Sequence, residues 1–542
     1  MSQTPRESEP VAEAVDDALI DAIITGYTFE EPALDLGALS TDAGAVPSAR
    51  VRIPLSMVNR HGLVAGATGT GKTKTLQVMA EQLSAAGVPV FAADIKGDLS
   101  GLASAGEASD KLAARTAKLG QQWAATGYPV EFYALGGAGR GIPVRATVSS
   151  FGPVLLSKVL SLNDVQESSL GLVFHFADKA GLPLLDLKDL QAVLNHLGSE
   201  EGKADLKGIG GLSSATLGVI IRKIVTFADQ GAAEFFGEPE FDTADLMRTA
   251  ADGRGIISLL ELPDLADRPA LFSTFLMWLL ADLFSDLPEV GDAEKPKLVF
   301  FFDEAHLLFD DASKAFLDAI AQTVRLIRSK GVGVFFVTQT PKDVPDDVLA
   351  QLGSRVQHQL RAHTPNDAKA LKQTVATFPK SSYDLAEVLQ SLGIGEAIVT
   401  VMDPDGAPTP VARTKIFAPT SLMAPTPDAQ IDAAVKGSSL YSKYAEAVDR
   451  DSAYEMLARK LADGAQRAAE EKRAAEQQAA QEQAAEQQAR QAPRAEARPA
   501  GRGRQEKSVV DKVLGSSVVR QFARSAGREI VRSLFGTARR RS

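Results

Sequence analysis

Residues 66–73 read Gly-Ala-Thr-Gly-Thr-Gly-Lys-Thr and fit the pattern G-x-x-x-x-G-K-[ST] without a mismatch. Leu63, Val64 and Ala65 end a short apolar run just before it. Residues 74–87 follow with helical spacing that places Leu76, Met79, Ala80 and Leu83 on one face. Strand, glycine-rich loop and helix start, in that order, make a cradle for a polyphosphate. The glycines let backbone N–H groups turn toward the anion, and the helix N-terminus adds positive potential. The candidate nucleotide-binding residues are Gly66, Ala67, Thr68, Gly69, Thr70, Gly71, Lys72, Thr73 and Lys74. Lys72 would neutralise the β- and γ-phosphates of ATP, and the Thr73 hydroxyl would hold Mg²⁺. A glycine-rich turn that merely contains Lys-Thr is the bland alternative, and the flanking elements weigh against it.

A second pattern lies downstream. Leu298-Val299-Phe300-Phe301-Phe302 reads as a buried strand that ends in Asp303-Glu304. Asp303 would hold Mg²⁺ through its water shell, and Glu304 would orient or deprotonate the water that attacks the γ-phosphate. Apolar strands often end in acids, so this pattern gains its meaning from the phosphate loop upstream. The next apolar run, Val332 to Val337, ends in Thr338-Gln339. In a sheet with an additional strand between the two motif strands, Gln339 would sense the γ-phosphate or align the water. A loop amide bonded to backbone is the alternative.

Arginines from a neighbouring subunit complete the site in many oligomeric ATPases. Arg325 and Arg328 close a helix over 312–330, and Arg355 and Arg361 flank a strand over 354–360. Most arginines simply solvate a face, and Arg328 also suits a helix C-terminus. Arg328 and Arg355 are carried forward as catalytic candidates with Lys72, Glu304 and Gln339. Asp94 ends the apolar run 88–93. It would meet Mg²⁺ through water, anchor the following loop, or be a solvated strand end.

The surrounding chain supplies the elements that position these groups. The continuous apolar run at 88–93 suits a parallel sheet buried on both faces, and 130–135, 255–262, 297–302 and 332–337 read as further strands. From 151 to 250 the spacing turns helical, which predicts either a helical insertion in an α/β core or a separately folding helical domain. The expected organisation is an acidic, mostly flexible segment at 1–50, core at 51–150, the insertion at 151–250, and core again at 251–420. Helices follow at 421–465, then an Ala/Gln/Glu/Arg-rich linker at 466–507 and a basic amphipathic tail at 508–542. Within 1–50, the patch from Ala18 to Tyr27 is expected to pack on the core.

The 542 residues include no cysteine, which excludes disulfides, thiolate catalysis and Cys-based metal sites. The six histidines show no metal-ligand spacing. Net charge is −11, yet residues 1–50 hold ten acids against Arg6 and Arg50, and residues 508–542 hold eight bases against Asp511 and Glu529. No broad basic body of the kind that binds nucleic acid is visible, although a ring can confine its bases to a channel. The tail would bind nucleic acid, an acidic partner, a membrane surface or the protein's own acidic body. No signal peptide or membrane span is read, so the cytoplasm is the expected location.

These residues resemble the HerA/FtsK superfamily of phosphate-loop ATPases, most closely its YjgR-type, HerA-helicase-like bacterial members. The resemblance rests on 66–73, on Asp-Ile-Lys-Gly-Asp-Leu-Ser-Gly at 94–101, on Leu-Val-Phe-Phe-Phe-Asp-Glu-Ala-His at 298–306, and on 329–341, and covers roughly 50 to 420. It implies a RecA-like α/β sheet of the additional-strand class, ATP and Mg²⁺ as cofactors, and a homo-oligomeric ring, commonly a hexamer, with sites between subunits. It also implies DNA as the track, with a protein-remodelling ATPase as the other expectation. About 50 mostly polar residues precede the motor, too few for the N-terminal barrel of HerA itself.

Overall fold

The computed structural model describes residues 10–136, 139–206, 210–262, 269–291, 293–309 and 314–491. The basic tail expected at 508–542 lies outside them. Apolar runs spread over nearly 400 residues meet in one sheet, ordered β2-β1-β12-β11-β10-β3-β9-β8-β4-β7-β5-β6. The strands are β1 (Ala33–Thr41), β2 (Gly44–Pro54), β3 (Gly62–Ala65), β4 (Val90–Asp94), β5 (Val130–Leu135), β6 (Ile142–Val144), β7 (Ile257–Glu261), β8 (Leu298–Phe302), β9 (Val332–Thr338), β10 (Ser354–His358), β11 (Glu396–Thr400) and β12 (Ala412–Ile416).

From β10 to β6 every neighbouring pair is parallel. The pairs β10–β11, β11–β12, β12–β1 and β1–β2 are antiparallel. The central strands β3, β4, β8 and β9 are buried along their whole length, as continuous apolar runs in a doubly covered parallel sheet require. Strand β9 lies between β3 and β8, which is the additional-strand order that the placement of Gln339 assumes.

Helix α1 (Pro10–Gly26) packs on β1 and β2, and two helices bear on the site, α2 (Lys72–Ala85) and α3 (Asp110–Lys118). Leu76, Met79, Ala80 and Leu83 of α2 are fully buried, as their spacing predicts. Helix α1 ends beside Tyr27, whose hydroxyl donates to the carbonyls of Val399 and Pro410. Residues 33–50, expected within a flexible lead, instead form β1 and most of β2, and Gly37 faces Ile416 across β12. Between β6 and β7 lie α4 (Val148–Val159), α5 (Asp164–Lys179), α6 (Leu187–Gly198), α7 (Glu200–Asp205) and α8 (Ser214–Asp229). Their buried residues join the same hydrophobic cluster as the sheet. The compact unit ends at Asp463, and a second begins at Gly464. A helix spans Ala453–Gln491, and its residues 464–485 are all exposed. Among the described residues no helix is long and apolar enough to cross a membrane.

Candidate nucleotide site

The parallel strands all point their C-terminal ends at one edge of the sheet. Loops after β3, β8, β9, β4 and β10 converge there, so residues far apart in sequence become neighbours. After β3 the chain turns at once. Gly66 N–H donates to Thr338 O at 3.2 Å and Ala67 N–H to Gln359 O at 2.8 Å, which ties the loop to the ends of β9 and β10. Gly71, at φ 119°, caps α2 in a conformation that a side chain would strain. Lys72 opens the helix and folds back: its Nζ donates to Gly66 O at 2.7 Å and lies 3.4 Å from Ala67 O. Burial pushes the Lys72 ammonium below its ordinary pKa. A charged amine resting on loop carbonyls is poised for stronger acceptors, such as phosphate oxygens. Thr73 is half-buried at the first turn of α2.

Asp303 and Glu304 follow β8 two strands away. Asp303 is buried, and its Oδ1 accepts the Glu304 N–H at 2.9 Å. Burial, with the Glu304 charge beside it, pushes the Asp303 carboxyl up to about 6. Glu304 sits at φ 48°, in the left-handed region where a non-glycine residue is strained by roughly 1–2 kcal/mol. Such strain clusters at functional sites. One Glu304 carboxylate oxygen pairs with Lys96 Nζ. Oε2 is buried without a hydrogen bond, 3.3 Å from His306 Nδ1. Burial raises the Glu304 carboxyl, but Lys96 outweighs it and holds the group below its ordinary value.

Asp94 is not a solvated strand end. It is buried, and its Oδ2 accepts Leu99 N–H at 2.8 Å, fixing the loop that carries Lys96. Its Oδ1 is buried without a partner. Burial raises Asp94, and burial with the Asp94 charge lifts Glu261 to about 7. The C-terminal edge of the sheet thus gathers Asp94, Glu261 and Asp303, whose carboxyls burial raises, beside Glu304, which Lys96 holds down.

These donors fit Mg²⁺. Thr73 and Asp303 offer hard oxygen ligands. Among the described residues no three acidic or histidine side chains gather closely enough to hold a metal alone. Mg²⁺ keeps several waters and takes only one or two carboxylates beside phosphate oxygens.

Gln339 is exposed just past β9, between the phosphate loop and the acids. The turn behind it is fixed by Asp343 Oδ2, which accepts from Thr338 Oγ1 at 2.8 Å and Thr340 N–H at 3.0 Å. The arginines divide. Arg328 follows the helix Lys314–Ile327 and precedes β9, so it stands at the opposite edge of the sheet from the loop. Arg355 starts β10, half-buried, and donates to Thr377 O at 3.2 Å. Neither adjoins this chain's own phosphate loop. Arg361, past the end of β10, reaches Thr68 O at 3.4 Å.

Other contributors escaped the sequence reading. His358 is buried beneath the loop, donating from Nδ1 to Glu396 O at 2.8 Å and accepting from Thr75 Oγ1 at 2.9 Å. Burial pushes it down to about 4, so it is a neutral prop. Glu81 on α2 accepts four hydrogen bonds from residues 420 and 421. This holds a strap, residues 417–423, across the helix. The strap, α3 and Gly395 enclose a cavity of about 440 Å³ that opens beside Gly71 and Lys74 and is walled by Ile394, Phe417 and Met423. Lys74 Nζ donates to Met423 O at 2.7 Å, closing one side. Only Lys96 carried a signal in the sequence, since it lies two residues beyond the strand end that singled out Asp94.

The family model described as helicase HerA-like C-terminal matches residues 41–542. The DNA double-strand break repair helicase HerA of Saccharolobus solfataricus is 21% identical over 363 residues, covering 64% of this chain and 63% of that protein. The protein of the same description from Sulfurisphaera tokodaii is 23% identical, covering 64% of each. The chain thus spans less than two thirds of the length of these curated relatives. The bacterial conjugative coupling protein TrwBdeltaN70 aligns at 16% identity with a TM-score of 0.48, over 75% of this chain and 95% of that one.

Proposed function

This chain belongs to the helicase HerA-like C-terminal family, and on that premise we propose that it is a Mg²⁺-dependent ATP hydrolase that drives movement along DNA as a ring-shaped homo-oligomer. The observation that carries the reading is the meeting of Lys72, Asp303 and Glu304 at one sheet edge across β3, β9 and β8. Lys72 leaves the loop carbonyls for the β- and γ-phosphates. Thr73 and Asp303 would hold Mg²⁺, which would supply charge neutralisation on the phosphate oxygens. Glu304 orients the attacking water and accepts its proton, and Gln339 aligns that water. Lys96 positions Glu304 until substrate phosphate competes for its ammonium. The nucleoside end occupies the cavity beside Gly71 and Lys74. Arg328 or Arg355 would act only across a subunit boundary, and Arg361 is the arginine available within the chain.

The acidic net charge of −11 favours a second reading, an ATPase that remodels a protein partner. Steady-state ATP hydrolysis with single- and double-stranded DNA at two salt concentrations separates the two. Stimulation by DNA that is lost in Lys72→Ala and Glu304→Gln is the expected result. Hydrolysis indifferent to DNA at both salts would transfer the assignment to the protein-remodelling reading.

A further inference from the structure

The antiparallel end of the sheet carries a second cleft, which shares Lys111 and Arg115 with the wall of the cavity beside Gly71 and Lys74 and extends away from it past Lys118. A cavity of about 810 Å³ opens between the β1–β2 turn, α3 and β12. Lys111, Arg115 and Lys118 line it from α3 at the i, i+4, i+7 spacing that shares one helix face. In β12 residues 412, 414 and 416 are buried, so Arg413 and Lys415 face the opposite way, into the cleft. Five cations thus converge from two segments some 300 residues apart, on a chain whose net charge is −11.

Three of the five are engaged. The Glu396 carboxylate takes Lys415 at 3.1 Å and Arg413 at 3.4 Å, and the exposed Asp42 takes Arg413 at 3.2 Å. Arg115 donates to Ile416 O at 2.8 Å. Lys111 and Lys118 are exposed and have no acidic partner among the described residues. The remaining lining is small or polar, with Leu119 its one large apolar side chain. It contains no aromatic ring on which a base would stack. The cleft is therefore equipped to grip repeated negative charge and little else.

We propose that this cleft holds the sugar–phosphate backbone of one nucleic-acid strand, independently of its sequence. Lys111 and Lys118 are separated by about 10.5 Å along the helix axis. Successive phosphates advance about 3.4 Å along a duplex axis and lie further apart on an extended single strand, so the row spans about two to three phosphate steps. An acidic peptide would share the charge contacts, as acidic motifs on basic clusters do, but this lining offers no apolar pocket to anchor its side chains. The inference rests on the DNA-motor reading and gives that reading a contact surface.

The test uses the full-length protein and fluorescence anisotropy of a labelled oligothymidylate across a salt series. Each phosphate contact on a single strand contributes about 0.7 to the slope of log K against log salt. Lys118→Gln should lower the slope by about 0.7, and Lys111→Gln/Lys118→Gln by about 1.4, with affinity falling about tenfold or more at low salt. Lys118 lies outside the nucleotide site, so Lys118→Gln should keep the DNA-independent hydrolysis rate. Wild-type binding with an unchanged slope in both variants would overturn the cleft and leave the motor reading standing. No binding by wild type would overturn the DNA reading itself. Displacement by polyglutamate as readily as by unlabelled strand would assign the cleft to an acidic protein partner and overturn the proposal.

Discussion

Glu81 offers the sharpest test of how the strap shapes the nucleotide site. It is 3% exposed, and each carboxylate oxygen accepts one backbone N–H and one hydroxyl. Oε2 takes Thr420 N–H at 2.9 Å and Thr420 Oγ1 at 2.8 Å; Oε1 takes Ser421 N–H at 2.9 Å and Ser421 Oγ at 2.6 Å. Glu81→Gln keeps the shape but replaces one acceptor oxygen with a donor. The facing hydroxyl can rotate to accept, whereas the facing backbone N–H cannot. One buried N–H is orphaned, at a cost of about 1–3 kcal/mol. Glu81→Ala orphans two and should cost about 3–5 kcal/mol.

Trp123 makes the assay local, because its indole N–H donates to Pro419 O at 2.7 Å within the same strap. The only other tryptophan is Trp278, which Trp278→Phe removes. Urea denaturation followed through Trp123 should show an earlier midpoint in Glu81→Gln, and an earlier one still in Glu81→Ala. The strap walls the cavity beside Lys74, so the KM for ATP should rise about 5- to 10-fold while kcat is nearly kept, the signature of lost uniform binding. Unchanged Trp123 emission and midpoint in Glu81→Gln would refute the clamp. A fall in kcat at constant KM would refute its link to nucleotide binding.

Glu304→Gln should lower kcat by about 10²- to 10⁴-fold while ATP binding measured by calorimetry persists. Lys96→Ala should also lower kcat, with partial rescue by Lys96→Arg; a rate equal to wild type would remove Lys96 from the site. Gly66→Ala would place a Cβ 2.5 Å from His358 Cβ, so ATP binding should fail while far-UV circular dichroism stays native. Glu261, lifted to about 7, holds its proton in the folded state at pH values where the unfolded chain has released it. Stability should therefore decline as pH rises from the ordinary carboxylate range to about 7, and Glu261→Gln should flatten that decline, as read from urea midpoints across the range.

The parallel half of the fold was legible because most of its strands are predominantly apolar runs and its acids stand at strand ends. Lys72, Asp303, Glu304 and Gln339 meet because all depend on one rule, that ligands gather at the C-terminal edge of a parallel sheet. Residues whose work is set by distant partners were not legible. Nothing local marks Glu81 as a clamp for residues 420 and 421, or His358 as a prop beneath Gly66. The β1–β2 hairpin was hidden for the same reason. Its sequence is mildly apolar and interrupted by Pro47, and its partner β12 lies at the far end of the core. Arg328 and Arg355 share their residue type with Arg361, and only strand direction separates the three.

The pairing of β1 with β12 also has a consequence for synthesis on the ribosome. Ile416, the partner of Gly37, follows it by roughly 380 residues. At about 5–20 residues per second that delay is on the order of 20–80 s. Throughout it the hairpin presents an open hydrogen-bonding edge, a template for wrong pairing. The phosphate-loop strand waits too, since β3 is flanked by β9 and β10. High contact order of this kind slows folding, so yield should depend more on translation speed, growth temperature and chaperone supply than on the stability of the finished protein.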